Sequence, residues 1–138
     1  MKKKILALVS LLLIGGLSAF FFGACDKDTN CYVEITVVDE VTKMPVSGAF
    51  VKIDIDSSYI SAQGYTNAAG RFDTVFKAPA IFNVAVTYED ASCYDDVYTS
   101  DIYHCYRKGN NTIRLKEGEV VASTVILEST IIREFRSK

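Results

Sequence analysis

The sequence predicts an all-β fold, a single seven-stranded antiparallel β-sandwich. Short runs alternate apolar and polar residues with a period of two, which is the pattern of strands that bury one face. Turn residues separate these runs at regular spacing, and no stretch repeats its apolar residues at the period of an amphipathic helix. Short strands of this kind bury their apolar faces by packing as two sheets.

The alternation is clearest in the first predicted strand, where Val33, Ile35 and Val37 share one face and Glu34 and Thr36 the other. The predicted strands cover residues 32–38, 49–55, 59–66, 71–76, 82–88, 111–116 and 120–128. The side chains that we expect to be buried between the two sheets are Val33, Ile35, Val37, Val51, Ile53, Phe72, Val84 and Val86.

The first 24 residues, before any strand, have the layout of a secretory signal peptide. Three lysines at positions 2–4 are followed by residues 5–22 without a charge and then by two small residues. Phe22-Gly-Ala-Cys25 resembles the lipobox of bacterial lipoproteins, with Phe22 in place of the usual Leu. The resemblance implies that the Cys25 thiol receives a diacylglyceryl group and that cleavage makes Cys25 the first mature residue.

An uncleaved transmembrane anchor and plain secretion are the alternatives, since an apolar run of this length can just cross a bilayer. Gly15-Gly16 and the cysteine at the boundary favour the lipoprotein. We therefore expect a membrane-anchored lipoprotein of the bacterial cell envelope. Asp26 and Asp28 resemble surface-export signals of some Gram-negative lipoproteins, which favours the outer membrane over the inner one and leaves the face open.

The mature chain has the size and charge of one acidic domain. It keeps 12 basic and 17 acidic residues, a net charge of −5, which disfavours nucleic acid because phosphate binding requires clustered Lys and Arg. Residues 25–30 are short and polar and predict a tether between lipid and fold. The sandwich domain is predicted over residues 31–128, and residues 129–138 form a tail that extends the last strand or frays.

Two stretches carry a family resemblance. Residues 37–51 contain a strand, an Asp, a turn with Thr, then Pro-Val, Gly-Ala and a second strand; residues 66–72 contain a Thr-Asn turn closed by Gly and an aromatic residue. Both resemble the carboxypeptidase regulatory-like domains, also called transthyretin-like or prealbumin-like domains. Lys43 stands where that family usually has Gly. The resemblance covers about residues 31–88 and implies the β-sandwich fold, not a particular function.

If the lipid takes Cys25, three cysteines remain for an oxidising compartment, and one pair is expected to close. Our predicted disulfide joins Cys93 and Cys105. By closing the loop between them it would lower the entropy of the unfolded chain and so stabilise the fold by roughly 3 kcal/mol. The alternative pairs Cys31 with one of these two cysteines.

The segment between the fifth and sixth predicted strands is the candidate binding loop, over residues 89–106. Residues 88–106 hold five of the eight tyrosines and five of the 17 acidic residues of the chain. Long loops are often functional, and exposed Tyr suits contact with proteins or glycans. The competing interpretation is that Tyr94, Tyr98 and Tyr103 are half-buried strand positions and that the acids are simply solvated. The candidate binding residues are Tyr94, Asp95, Asp96, Tyr98, Asp101 and Tyr103.

The sequence favours a non-catalytic module without a metal or cofactor. A calcium site at Asp90, Asp95, Asp96 and Asp101 is an alternative, although their spacing does not match an EF-hand loop. His104 is the single histidine, predicted on the surface or in a loop, and no Gly-x-Ser-x-Gly motif occurs. The predicted function is a structural or binding module for another envelope component, a protein or a glycan. The alternatives are a hydrolase or metalloenzyme of the envelope and a protease inhibitor.

Overall fold

The computed structural model describes residues 27–56, 58–91 and 103–135. These residues form two β-sheets and contain no α-helix. The strands are β1 (Cys31–Asp39), β2 (Phe50–Asp54), β3 (Ser61–Tyr65), β4 (Arg71–Phe76), β5 (Ile81–Glu89), β6 (Tyr103–Arg114), β7 (Val120–Leu127) and β8 (Ile132–Phe135).

One sheet has three strands in the order β4-β1-β7, and the other has five in the order β3-β2-β5-β6-β8. The apolar faces predicted from the alternation meet between them, and seven of the eight predicted core side chains are buried. Phe72 is the exception, because it is only partly buried where it packs against the core cluster. The all-β prediction is thus confirmed, and both sheets contribute side chains to the core.

The prediction of seven antiparallel strands is wrong in two respects. The described residues contain eight strands, because β8 forms within the predicted tail and pairs with the start of β6. In addition, β7 pairs with β1 in parallel, with Val33 opposite Val121 and Val37 opposite Val125. Both strands begin at the same end of the sandwich, because the chain reverses its direction at each of the six connections from β1 to β7.

The sixth strand is longer than predicted and begins at Tyr103 rather than Asn111. Gly109 lies in its middle, where the two sheets approach closely. A Cβ atom on Gly109 would lie 2.4 Å from the backbone oxygen of Ile126 in β7. Only glycine permits this approach without a shift of backbone, so a residue typical of turns occupies the centre of a strand.

The strand directions define two opposite ends of the sandwich. The tether end holds residues 27–30, where β1 begins, and the described residues of the connections that follow β2, β4 and β6. The far end holds the last residue of β1, Asp39, and the connections that follow β1, β3 and β7. Since β1 has nine residues, the two ends lie about 30 Å apart.

Residues 27–30 belong to the fold and are not a free tether. Asp28 accepts hydrogen bonds from the Asn30 backbone and from the Tyr32 hydroxyl, each at 2.9 Å. The Asn30 carbonyl accepts from the backbone N–H of Gly118 at 2.8 Å, and Lys27 forms an ion pair with Glu117 at 2.8 Å. These bonds fix the chain to the body of the sandwich from Lys27 onward.

Candidate functional site

An open cavity lies on the outer face of the five-stranded sheet at the far end. It has a volume of about 310 Å³. The β-sheet register builds it, because Phe50 on β2 is opposite both Tyr65 on β3 and Thr87 on β5. We call this cavity the aromatic depression; its described lining residues are Gly48, Phe50, Tyr65, Thr87, Glu89 and His104.

Two aromatic rings form one wall of the depression. The rings of Phe50 and Tyr65 meet edge to face, with centroids 5.3 Å apart and planes inclined at 60°. Tyr65 is largely exposed, whereas Phe50 is half-buried. A fixed ring with one open face offers a contact surface for a sugar ring or an apolar side chain at low entropic cost.

The opposite wall carries two titratable groups. The Nδ1 atom of His104 lies 3.6 Å from a carboxylate oxygen of Glu89, and both side chains are in contact with solvent. The His104 ring packs on Tyr106 at a centroid distance of 5.1 Å. Tyr106 donates a hydrogen bond to Glu134, and this bond together with burial raises the pKa of the Tyr106 hydroxyl. Lys108 lies over the Tyr106 ring, 5.0 Å from its centroid.

An ion pair between the two sheets supports the far end beside this site. Arg107 donates to Asp39 at 2.7 Å, and also to the backbone oxygens of Glu128 at 2.6 Å and Leu127 at 3.1 Å. Asp39 in turn accepts from the backbone N–H groups of the turn that follows it. We call this arrangement the Asp39–Arg107 clamp. Arg107 lies on β6, three residues after His104, so the clamp fixes the part of β6 that carries His104.

The described side chains suit non-covalent binding. A histidine beside a carboxylate can exchange a proton, whereas nucleophilic catalysis needs in addition a nucleophile that an adjacent base activates. The described lining of the depression contains neither Ser nor Cys, and its hydroxyls belong to Thr87 and Tyr65. Among the residues that the structure covers, no three His, Cys, Asp or Glu side chains group as metal ligands would.

The structure corrects the predicted limits of the 89–106 loop. Glu89 belongs to β5, and Tyr103 to Tyr106 belong to β6. Tyr103 is a half-buried strand residue whose ring lies 4.7 Å from that of Phe135, so the competing interpretation holds at this position. His104 lies on strand β6 with a partly exposed side chain, so of the two predicted positions the surface is correct and the loop is not. The other candidates lie outside the described residues: Tyr94, Asp95, Asp96, Tyr98 and Asp101.

Of the cysteines, Cys31 and Cys105 lie in the described part of the chain, and both are buried. Cys31 is a free thiol, and burial raises its pKa. The alternative disulfides that involve Cys31 are therefore wrong. Cys93 and the predicted lipidation site Cys25 lie outside the described residues.

Sequence reasoning missed the aromatic depression and the clamp. Phe50 and Tyr65 lie outside the predicted binding loop, and Arg107 follows it directly. A signal for Phe50 was present, because it shares the polar face of β2 with Lys52 and Asp54, where an aromatic residue is unexpected. No comparable signal marked Arg107, since its partners are distant in sequence.

No protein-family model matches this chain, and no curated protein matches it. Within the ranges 27–56, 58–91 and 103–135, no helix is long and apolar enough to cross a membrane. The residues that precede Lys27 lie outside those ranges.

Proposed function

We propose that this chain is a bacterial envelope lipoprotein, anchored through Cys25, whose non-catalytic β-sandwich binds an envelope protein or glycan at its far end. The observation that carries the proposal is the separation of the two ends. The chain enters at the tether end, two residues after Cys25, while Glu89 and Tyr103 flank the Tyr- and Asp-rich segment at the far end. An anchor at one end and a binding surface about 30 Å away suit presentation above a membrane.

The chemistry of the far end supports a binding role. The aromatic depression combines an open Tyr65 ring with hydrogen-bonding groups on Thr87, Glu89 and His104. Aromatic rings edged by polar side chains recognise sugars and peptide side chains alike, because the ring supplies contact area and the polar groups supply orientation. Glu89 and His104 of the depression lie on the two strands that the Tyr- and Asp-rich segment connects.

The proposed membership among the carboxypeptidase regulatory-like domains is supported by how the two similar stretches meet. Thr66 is buried; its hydroxyl donates to the Val46 carbonyl at 2.7 Å and accepts from the Ala49 backbone at 2.9 Å. Residues that match the family in separate stretches are thus direct partners. Lys43, where the family usually has Gly, adopts a left-handed φ of 58°, the conformation that glycine adopts at least cost.

The proposed disulfide joins Cys105 to Cys93. Cys31 is a buried free thiol, which leaves Cys25 and Cys93 as the candidate partners of Cys105. Cys25 is two residues from Lys27 at the tether end, whereas Cys105 is near the far end, so a bond between them would need to span most of the sandwich. Peptide mapping without reduction tests the assignment, and a peptide that links Cys25 to Cys105 would refute it.

The anchor is tested by Cys25→Ser in the full chain, expressed in a bacterium with lipoprotein processing. The wild type is expected in the membrane fraction with an acylated N-terminal cysteine, detected by mass spectrometry. The variant should accumulate as an unprocessed precursor or leave the membrane fraction. Processing at another residue, without lipid, contradicts the proposal.

The binding role is tested with a matched pair of tyrosine variants. Tyr65→Ala removes the open ring of the depression at the far end, while Tyr59→Ala removes an exposed ring at the tether end. Binding to isolated envelope polysaccharide and to detergent-solubilised envelope proteins is measured by surface-plasmon resonance. Tyr65→Ala should weaken the binding roughly tenfold, the usual effect of losing a central aromatic contact, and Tyr59→Ala should not. Equal effects of the two variants, or no binding by the wild type, would refute the role.

A further inference from the structure

We propose that the tether end docks directly on the bilayer, with Tyr59, Ile60 and Ile81 in the lipid headgroup region. This inference rests on the proposed lipid anchor and adds an orientation to it. The domain would stand on the membrane on one defined surface, with its strands pointing away from the bilayer.

The first step is the shortness of the free chain. Residues from Lys27 onward are bonded to the sandwich through Glu117, Gly118 and Tyr32. Only Cys25 and Asp26 lie between the lipid and this bonded stretch, and two residues span at most about 7 Å. Since the acyl chains of Cys25 must lie in the hydrocarbon core, the tether end is held at the membrane surface.

The second step is the chemistry of that end. Tyr59 and Ile60, in the connection between β2 and β3, are exposed, and Tyr59 is fully so. Ile81, the first residue of β5, is about half exposed. Asp56 accepts a hydrogen bond from Asn83 at 3.0 Å, which holds this connection against β5 near Ile81. Tyrosine and isoleucine exposed together suit an interface that is apolar on one side and wet on the other.

The third step is the placement of cations. Arg114 is opposite Ile81 in the strand register, and Lys77 follows β4 at the same end, bonded to the neutral side chain of Asn30. Long cationic side chains beside apolar ones can keep their charge at phosphate depth while their stems cover apolar surface.

The test uses the absence of tryptophan from the chain. Tyr59→Trp and Tyr65→Trp each introduce a single indole reporter, one at the tether end and one at the far end. The full-length acylated proteins are purified from membranes and reconstituted into phosphatidylethanolamine–phosphatidylglycerol vesicles, with and without brominated lipids. Equal circular dichroism and urea midpoints show that both variants are folded.

The indole emission of Tyr59→Trp is expected to shift to the blue in vesicles. Lipids brominated near the headgroup should quench it roughly twofold more than the emission of Tyr65→Trp. Vesicle flotation is measured on the same samples. Flotation with equal, weak quenching of both variants overturns the docking and leaves the anchor standing, whereas loss of flotation overturns both. A blue shift of Tyr59→Trp that appears without vesicles and grows with protein concentration assigns the surface to a second copy of the chain and overturns the docking.

Discussion

The two ends of the sandwich are held by ion pairs of different kinds. At the tether end, the side chains of Lys27 and Glu117 are 78% and 36% exposed. At the far end, those of Arg107 and Asp39 are 12% and 17% exposed, and Arg107 also donates to the backbone carbonyls of Leu127, the last residue of β7, and of Glu128 after it. Solvent and salt screen the first pair much more than the second.

This difference matches what each end would have to do. A binding surface gains affinity when its side chains are preorganised, and the Asp39–Arg107 clamp fixes the strand that carries His104. The proposed lipid already restricts the position of the tether end. A weaker, solvent-screened ion pair is therefore sufficient to hold the chain there.

The largest expected effect comes from the core that the two ends share. Ile35, in the middle of β1, is fully buried. Ile35→Ala should destabilise the domain by about 2–5 kcal/mol, the cost of lost burial plus an internal cavity, and so loosen both ends together. Urea unfolding followed by circular dichroism measures it. Ala122→Gly, at an exposed position of β7, is the control for strand propensity. An effect of Ile35→Ala no larger than that of the control would contradict the described core.

The comparison of the ends is tested by removing one cation from each. Arg107→Ala removes the ion-pair partner of Asp39, which keeps only the backbone N–H groups of its turn, and removes one donor from each of two carbonyls, whereas Lys27→Ala removes one exposed pair. Arg107→Ala should lower the urea midpoint more, and its deficit should persist in molar salt. Equal midpoints for the two variants would show that the far end is not held more firmly.

Acid should affect the far end through Asp39. Hydrogen bonds from the Thr42 backbone and from Arg107 hold the pKa of Asp39 well below its ordinary value of 3.8. Because the pKa of Asp39 is lower in the folded state than in the unfolded state, its ionised form stabilises the fold. This stabilisation is complete at pH values above the unfolded-state pKa and is lost as the pH falls toward the native-state pKa. Stability should therefore fall between about pH 5 and pH 2 in the wild type and fall less in Asp39→Asn. Urea unfolding curves at pH values across this range give the free energy of unfolding of both proteins. An equal loss of stability with falling pH in the two proteins would contradict the prediction.

The smallest expected effect is a gain at the turn after β1. Lys43 has a φ of 58°, in the left-handed region that disfavours residues with a Cβ atom. Lys43→Gly should stabilise the domain by about 0.5–1 kcal/mol, since the strain removed exceeds the extra entropy of glycine in the unfolded chain. Thr42→Gly serves as the control at a neighbouring position without positive φ. A loss of stability in Lys43→Gly would show that the lysine side chain has a role of its own.

The strands with clean alternation were predictable from the sequence because burial of one face imposes the period directly. The limits of β4, Arg71–Phe76, agree with the prediction to the residue. The start of β6 was not predictable, since Gly109-Asn-Asn has the composition of a turn and its strand conformation depends on the approach of Ile126. Strand β8 was missed for a similar reason, as only two of its four residues are apolar and its pairing with β6 is long-range.

The candidate site was predicted only at its margin. Tyrosine and acid content drew attention to residues 89–106, and the strands on either side do supply Glu89 and His104 to the depression. Phe50 and Tyr65 join them through the β-sheet register, which pairs β2 with β3 and β5. The alternation in a single sequence indicates which face of a strand is buried, but not which residues of two strands lie opposite each other. The pairing of Phe50 with Tyr65 could therefore not be predicted from the sequence.

The parallel pairing of β1 with β7 sets the order in which the domain can fold. The first strand of the sandwich acquires this neighbour only when Val120 and the residues after it are available. Closing so long a loop before any contact forms is entropically costly, which makes folding slow in sheets of this topology. During synthesis the N-terminal strands therefore remain without their final sheet until the residues of β7 have emerged. Late folding of this kind keeps a chain extended for longer, and an extended chain is the form that the proposed export would require.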